Sequence, residues 1–180
     1  MKILSVDPGT QNFAYAVLSV QNSPAKPFKY KIKKMGMVKS TIKEPKENMG
    51  LQINAFNEEF LYQFDKLKLD GFICERFQSR GMKGNTIESV NMMVGMMAHY
   101  LTSREIDVKL VTASTWKNRV NKIIDIKDLY KLARVPNHIT DAVCLGLYYG
   151  TFLSGSFGAF QDHSFRLLAE KINNESVPLS

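Results

Sequence analysis

Cysteine is nearly absent. Cys74 and Cys144 are the only two in 180 residues; they lie far apart inside apolar runs, and no Cys-x-x-Cys pair exists to hold zinc or exchange disulfides. Both read as reduced core thiols of an intracellular protein. No run of about 18 apolar residues could make a membrane helix. The opening Met1 to Val6 meets Asp7 before a signal-peptide core can build. Internal repeats are missing, and no Gly-x-Ser-x-Gly or Cys/His signature offers a covalent nucleophile. The expectation is a soluble, cytoplasmic protein with no membrane partner and no small-molecule cofactor.

What is present fits one globular domain. Hydrophobic residues make up 44% and charged residues 23%, ordinary values for a packed chain of this length. The net charge of +7 is gathered in one place: between Lys26 and Lys46, eight lysines (Lys26, Lys29, Lys31, Lys33, Lys34, Lys39, Lys43, Lys46) face Glu44 alone, so this stretch carries the whole excess. Such a patch is the footprint of a phosphate-backbone binder. It is equally the device by which an edge strand resists aggregation, and charge does not separate the two.

Short β-rich runs at Ile3 to Val6 and Phe13 to Val20 flank the turn cluster Asp7 to Asn12, which predicts a hairpin. Phe28 to Val38 alternates Lys29, Lys31 and Lys33 with Tyr30 and Ile32, the period of a strand with one wet face. Helical spacing runs from Asn48 to Leu67, followed by a buried strand at Phe72 to Cys74. An apolar helix spans Thr86 to Arg104, and Val108 to Val111 gives a fifth strand. Short helices are predicted at Ser114 to Val120 and Ile126 to Ala133, and a last one at His138 to Leu153. The order βββαβαβα predicts one α/β domain over residues 1–153 with a mixed five-stranded sheet flanked by helices. Residues 154–180 read as a polar tail with room for one helix, Ser164 to Ile172.

Three acids stand in odd places. Asp7 and Glu75 each end an apolar strand, and Asp141 opens an otherwise apolar helix three residues after His138, a spacing that puts both on one helix face. Separately, each has a plain explanation: a turn residue, a strand-end charge, a first-turn acid favoured by the helix dipole. Together, carboxylates crowded at one sheet end call for divalent cations, and hard oxygen ligands suit Mg²⁺ or Mn²⁺. Two such ions roughly 4 Å apart can clamp the attacking and leaving oxygens of a phosphodiester.

Ser5-Val6-Asp7-Pro8-Gly9-Thr10 resembles the opening strand of the RuvC-like Holliday junction resolvases of the RNase H-like superfamily. Phe72 to Phe77 is similar to their second acidic strand, and His138-Ile139-Thr140-Asp141-Ala142 resembles their last helix. The resemblance covers roughly Lys2 to Gly150. It implies an RNase H-like fold, and a metal-binding catalytic tetrad of Asp7, Glu75, His138 and Asp141 holding two Mg²⁺ or Mn²⁺ ions. It implies Lys117 as the basic residue beside the site, and a homodimer that resolves four-way DNA junctions by paired symmetric nicks in a bacterial or phage-infected cytoplasm. The interval from Lys117 to His138 is shorter than in the bacterial enzymes, closer to phage-borne members. As read from the residues, Lys117 is also an ordinary solvated helix lysine.

Two further features point the same way. The helix at Thr86 to Arg104 carries a stripe of Ile87, Val90, Met93, Val94, Met97 and Leu101 and a second of Met92, Met96 and Tyr100, so it is either a central core helix or has a face left for a second subunit. Arg76, Phe77, Arg80 and Lys83 open the loop after Glu75, where an aromatic among cations can stack on an unpaired base or simply fill core. The rivals are three. An actin-like or sugar-kinase ATPase shares the Asp-x-Gly-Thr turn but needs two such domains. A non-catalytic nucleic-acid module would not need the acids, and a nuclease of the same fold could take flaps, forks or RNA/DNA hybrids.

Overall fold

A computed structural model of the chain describes residues 1–9, 12–23, 26–39, 49–76, 85–153 and 165–175. Strands β1 (Lys2–Asp7), β2 (Phe13–Ser23), β3 (Lys26–Val38), β4 (Gly71–Glu75) and β5 (Asp107–Val111) form one sheet in the order β3-β2-β1-β4-β5. The β1–β2 and β2–β3 pairs are antiparallel, and the β1–β4 and β4–β5 pairs are parallel. This is the mixed five-stranded sheet that the sequence predicts.

Period-two alternation sorts the strand residues to two cores. Leu4, Val6, Phe13, Tyr15, Val17, Phe72 and Cys74 face α1 (Met49–Tyr62) and α2 (Asn85–Thr102). Ile3, Ala14, Ala16, Leu18 and Ile73 face α5 (Asn137–Tyr148), with α3 (Ala113–Val120), α4 (Ile126–Leu132) and α6 (Phe165–Glu175) completing that layer. On the first face the rings of Phe13, Phe56, Phe60, Phe64 and Tyr15 meet mostly edge to face, with Phe13–Phe60 centroids 4.8 Å apart and Phe60–Phe64 5.0 Å. Contacts of this kind add about 0.5–1.5 kcal/mol each beyond area burial.

On the second face α5 lies directly on β1. Ser5 Oγ donates to the Ala142 carbonyl at 2.6 Å, and a Cβ on Gly146 would stand 2.6 Å from Leu18 Cδ1 and 2.9 Å from Ser5 Oγ. Glycine is required there because the helix backbone has sunk to the level of the strand side chains.

Two element ends depart furthest from the sequence expectation. The first helix stops at Tyr62 and is followed by a 3-10 turn at Asp65–Leu67, with Lys68 left-handed at φ 48°. Phe64 turns into the core here, and Lys2 Nζ binds the Leu67 carbonyl at 2.8 Å, drawing the chain back to start β4 beside β1. The last helix widens into a π turn at Tyr149–Leu153, where Thr151 Oγ1 bonds back to the Leu147 carbonyl at 2.7 Å. The helix anticipated in residues 154–180 is α6. Its Leu168, Ala169 and Ile172 are buried with β3 and α4 in the second core, and Asn173 bonds the Arg134 amide at 2.7 Å, so it packs as part of the same layer.

Gly146→Ala should therefore destabilise the protein by roughly 1–3 kcal/mol in chemical denaturation, because both neighbours of the new methyl are fully buried. Gly95→Ala, with open space at its Cβ, should be neutral or stabilising by up to about 1 kcal/mol. Equal stability of the two variants would contradict the close seating of α5.

Candidate functional site

Parallel pairing sets the site. Val6 is opposite Cys74 in the β1–β4 ladder, so the next residues, Asp7 and Glu75, are neighbours at the same end of adjacent strands. The seating of α5 on β1 brings its first turns over that end. His138 Nδ1 lies 2.7 Å from Asp7 Oδ2, and Asp141 is buried alongside. The three acids and the histidine thus gather from three elements far apart in sequence.

Each carboxylate is held by a different neighbour. Trp116, the chain's only tryptophan and fully buried, donates its indole Nε1–H to Glu75 Oε2 at 2.8 Å. Lys117 Nζ pairs with Asp141 Oδ2 at 2.7 Å, the Tyr130 hydroxyl donates to Asp141 Oδ1, and Lys117 Nζ sits 3.4 Å from the Tyr130 oxygen. Caps fix both donor helices: Thr112 caps α3 through the Thr115 amide, and Asp125 caps α4 through the Lys127 and Asp128 amides. Lys117 therefore stands beside the acids, where the resemblance expects a basic residue. The sequence pattern does not single out Trp116 or Tyr130, and its one signal is slight: a lone tryptophan next to Lys117.

The electrostatics show crowding. Burial raises the Asp7 carboxyl to about 6, the hydrogen bond from His138 opposes this, and the charges of Glu75 and Asp141 push it further up. Glu75 is also raised, first by burial, while Trp116 and Lys117 act against the shift and Asp141 adds to it.

Three carboxylates and an imidazole gathered at one sheet end are, in kind, the donor set of a divalent cation site. Among the described residues no three His, Cys, Asp or Glu side chains converge closely enough to share one ion. Lys117 occupies one oxygen of Asp141, and His138 one oxygen of Asp7. The donor chemistry fits a hard cation, and binding one requires Lys117 to release Asp141 and Asp7 to turn from His138.

The remaining candidates are spread more widely. Arg76 follows Glu75 directly and is exposed, its amide bonded to the Val111 carbonyl at 2.6 Å. Phe77, Arg80 and Lys83, like Lys43 and Lys46, lie outside the described residues. Lys29, Lys31 and Lys33 are exposed on edge strand β3, while Phe28, Tyr30 and Ile32 point into the core. Their position along the sheet is informative. Lys31 is opposite Ser19, which is opposite Lys2, so Lys29 and Lys31 lie toward the far end of the sheet from Asp7. Five residues of strand separate those levels, about 17 Å. Exposed Lys39 follows Val38, which pairs with Phe13 near the Asp7 end.

The raised Asp7 predicts a pH effect with a definite sign. Its folded form holds the proton more tightly than the unfolded chain does, so its contribution is fully favourable below about pH 4 and is lost as pH rises through 6. The loss is on the order of 3 kcal/mol. In EDTA, Asp7→Asn should be more stable than wild type by roughly 1–3 kcal/mol at about pH 8 and should lose that advantage near pH 4. A stability difference that does not change with pH would show that Asp7 is not a crowded, buried acid.

No protein-family model matches the sequence, and no curated protein matches it. Solved structures do. A RuvC from T. thermophilus, in complex with a Holliday junction substrate, superposes with a TM-score of 0.65 at 15% identity, over 87% of this chain and 98% of that one. The yeast mitochondrial Holliday junction resolvase Ydc2 gives 0.58 at 18%, over 94% and 83%. The fowlpox virus resolvase, in complex with its substrate Holliday junction DNA, gives 0.52 at 17%, over 85% and 99%. Among the described residues no helix is long and apolar enough to cross a membrane. At such low identity these likenesses establish architecture, and the chain has the RNase H-like fold of the RuvC-type proteins.

Proposed function

We propose that this chain is a metal-dependent endonuclease that resolves four-way DNA junctions by paired nicks. The observation that carries the reading is the meeting of Asp7, Glu75, Asp141 and His138 at one end of β1 and β4 in a RuvC-type fold. The three solved neighbours, named as a RuvC and two Holliday junction resolvases, support the substrate class.

Asp7, Glu75, Asp141 and His138 are the residues that would hold Mg²⁺ or Mn²⁺, two ions per site. Such ions, when bound, offset the carboxylate charge, activate water for in-line attack on the phosphodiester and stabilise the leaving oxygen. The protein's own groups do the rest. Lys117, about a third exposed at its side chain, offers a cation at the mouth of the site to a phosphate oxygen. Arg76 adds a second beside Glu75, with Phe77, Arg80 and Lys83 following in sequence. The β3 lysines supply sequence-independent affinity by counterion release. A duplex arm leaving the site along β3 would meet these lysines in turn.

The test is incubation of the protein with a four-way junction, fork, flap and RNA/DNA hybrid in Mg²⁺. Junctions should be cut preferentially, EDTA should stop cleavage, and Glu75→Gln should lose more than nine-tenths of the rate while binding the junction nearly as wild type. Preference for flaps, forks or hybrids would reassign the substrate within the fold. Binding without cleavage of any of them would leave a recognition module.

Resolution needs two like-polarity strands cut, and one site cuts one bond at a time. A twofold dimer meets that need, because the junction itself can take matching symmetry. The α2 stripe is the proposed contact: Met92 is exposed, with half-buried Met96 and Tyr100 beside it. Met92→Glu should convert a dimer of about twice the 20.4 kDa chain mass into a monomer by sedimentation, with single nicks replacing paired ones, since burying an unpaired carboxylate costs several kcal/mol. A Met92→Glu protein that still dimerises would move the interface elsewhere.

A further inference from the structure

The segment from α3 to α4 reaches the site with two neutral donors and one cation. Trp116 and Lys117 are consecutive on α3, about 100° apart around the helix, so one turns inward to Glu75 and the other to Asp141. Tyr130 reaches the same Asp141 from α4 on the other carboxylate oxygen. The donors differ in what they do to charge. Lys117 neutralises Asp141 and so competes with any cation that approaches it. An indole N–H or a phenol O–H orients a carboxylate and leaves its charge in place. A carboxylate oxygen that accepts one such bond keeps a second lone-pair direction free.

We infer that Trp116 and Tyr130 are positioning residues. They hold Glu75 and Asp141, which arrive on a strand and a separate helix, in the orientation from which both can ligate a divalent cation, while Lys117 is the exchangeable partner that yields to it. The inference rests on the metal-dependent reading above. Outer-shell donors of this type commonly change metal affinity 10- to 100-fold when removed.

Tyr130→Phe removes one oxygen and keeps the ring. Trp116 reports on the site directly, because it is the only tryptophan and touches Glu75. Titration of wild type and Tyr130→Phe with Mn²⁺ at neutral pH, followed by Trp116 fluorescence quenching, should show half-saturation moved upward at least 10-fold in the variant. Junction nicking should fall at low Mg²⁺ and recover at high Mg²⁺, a shift in ion requirement without an equal loss of maximal rate. Trp116→Phe, titrated by calorimetry, should show the same shift. Because that variant also trims a buried side chain, Phe60→Leu in the core on the opposite sheet face is the matched control, expected to lower the melting temperature and leave the Mn²⁺ titration unmoved. Unchanged half-saturation in Tyr130→Phe, or an equal shift in Phe60→Leu, overturns the positioning role while the metal-dependent reading stands. A wild type that binds no Mn²⁺ and cleaves in EDTA overturns both.

Discussion

The seating of α5 on β1 is the constraint on which the site depends. Its two marks are the Ser5 hydroxyl bonded into the α5 backbone and the absence of a side chain at Gly146, where a methyl would collide with Leu18 and Ser5. A methyl at Gly146 would press on Leu18 and Ser5 and lift α5 from β1, and His138 would then lose its 2.7 Å contact with Asp7. The length of α5 from His138 to Gly146 thus joins packing to chemistry. Gly146 and Ala142 set the height, and His138 and Asp141, toward the N-terminal end, inherit it.

The same geometry makes the sheet end costly. Asp7 is desolvated and lies near two other carboxylates, and no lysine or arginine among the described residues pairs with it; its partner is the partly exposed His138 ring. Elsewhere the chain is conventionally packed. The edge-to-face aromatic cluster between α1 and the β1–β2 hairpin and the aliphatic layer under α5 bury apolar side chains completely. The stability that the acids subtract is supplied by these two cores. Strain of this kind concentrated at one end of an otherwise consistent fold is the usual signature of a functional position.

Much of this was legible in the sequence because it depends on local pattern. Apolar runs of four or five residues ending abruptly in Asp7 and Glu75 announce strand ends, and the His138–Asp141 interval announces a shared helix face. The five strands and the order of the helices follow from periodicity alone. What was not legible depends on contacts between distant elements. Nothing near Trp116 or Tyr130 in sequence says that an indole will meet Glu75 or a phenol Asp141. Helix ends depart from the periodic pattern where tertiary contacts override propensity, as at Phe64, which leaves the helical path to fill the core. The polar residues around α6 likewise concealed that Leu168, Ala169 and Ile172 would complete the layer beside β3.

The mixed topology divides labour between the two halves of the sheet. Parallel strands β1 and β4 end at the same level, so acids at their C-terminal ends fall side by side without any special turn. The antiparallel half cannot do this, since β2 runs back from the site and β3 returns toward it. What it provides instead is an edge: β3 stands last in the strand order of the described residues, and alternate residues along it face solvent while their neighbours are anchored by α5 and α6. Lysines there guard the edge against strand pairing and form a cationic strip whose distance from the acids is fixed by register. The two explanations that charge alone left open are therefore compatible. Placement of the strip on the same rigid sheet as the carboxylates means that any polyanion bound along β3 is presented to the Asp7 end at a set depth.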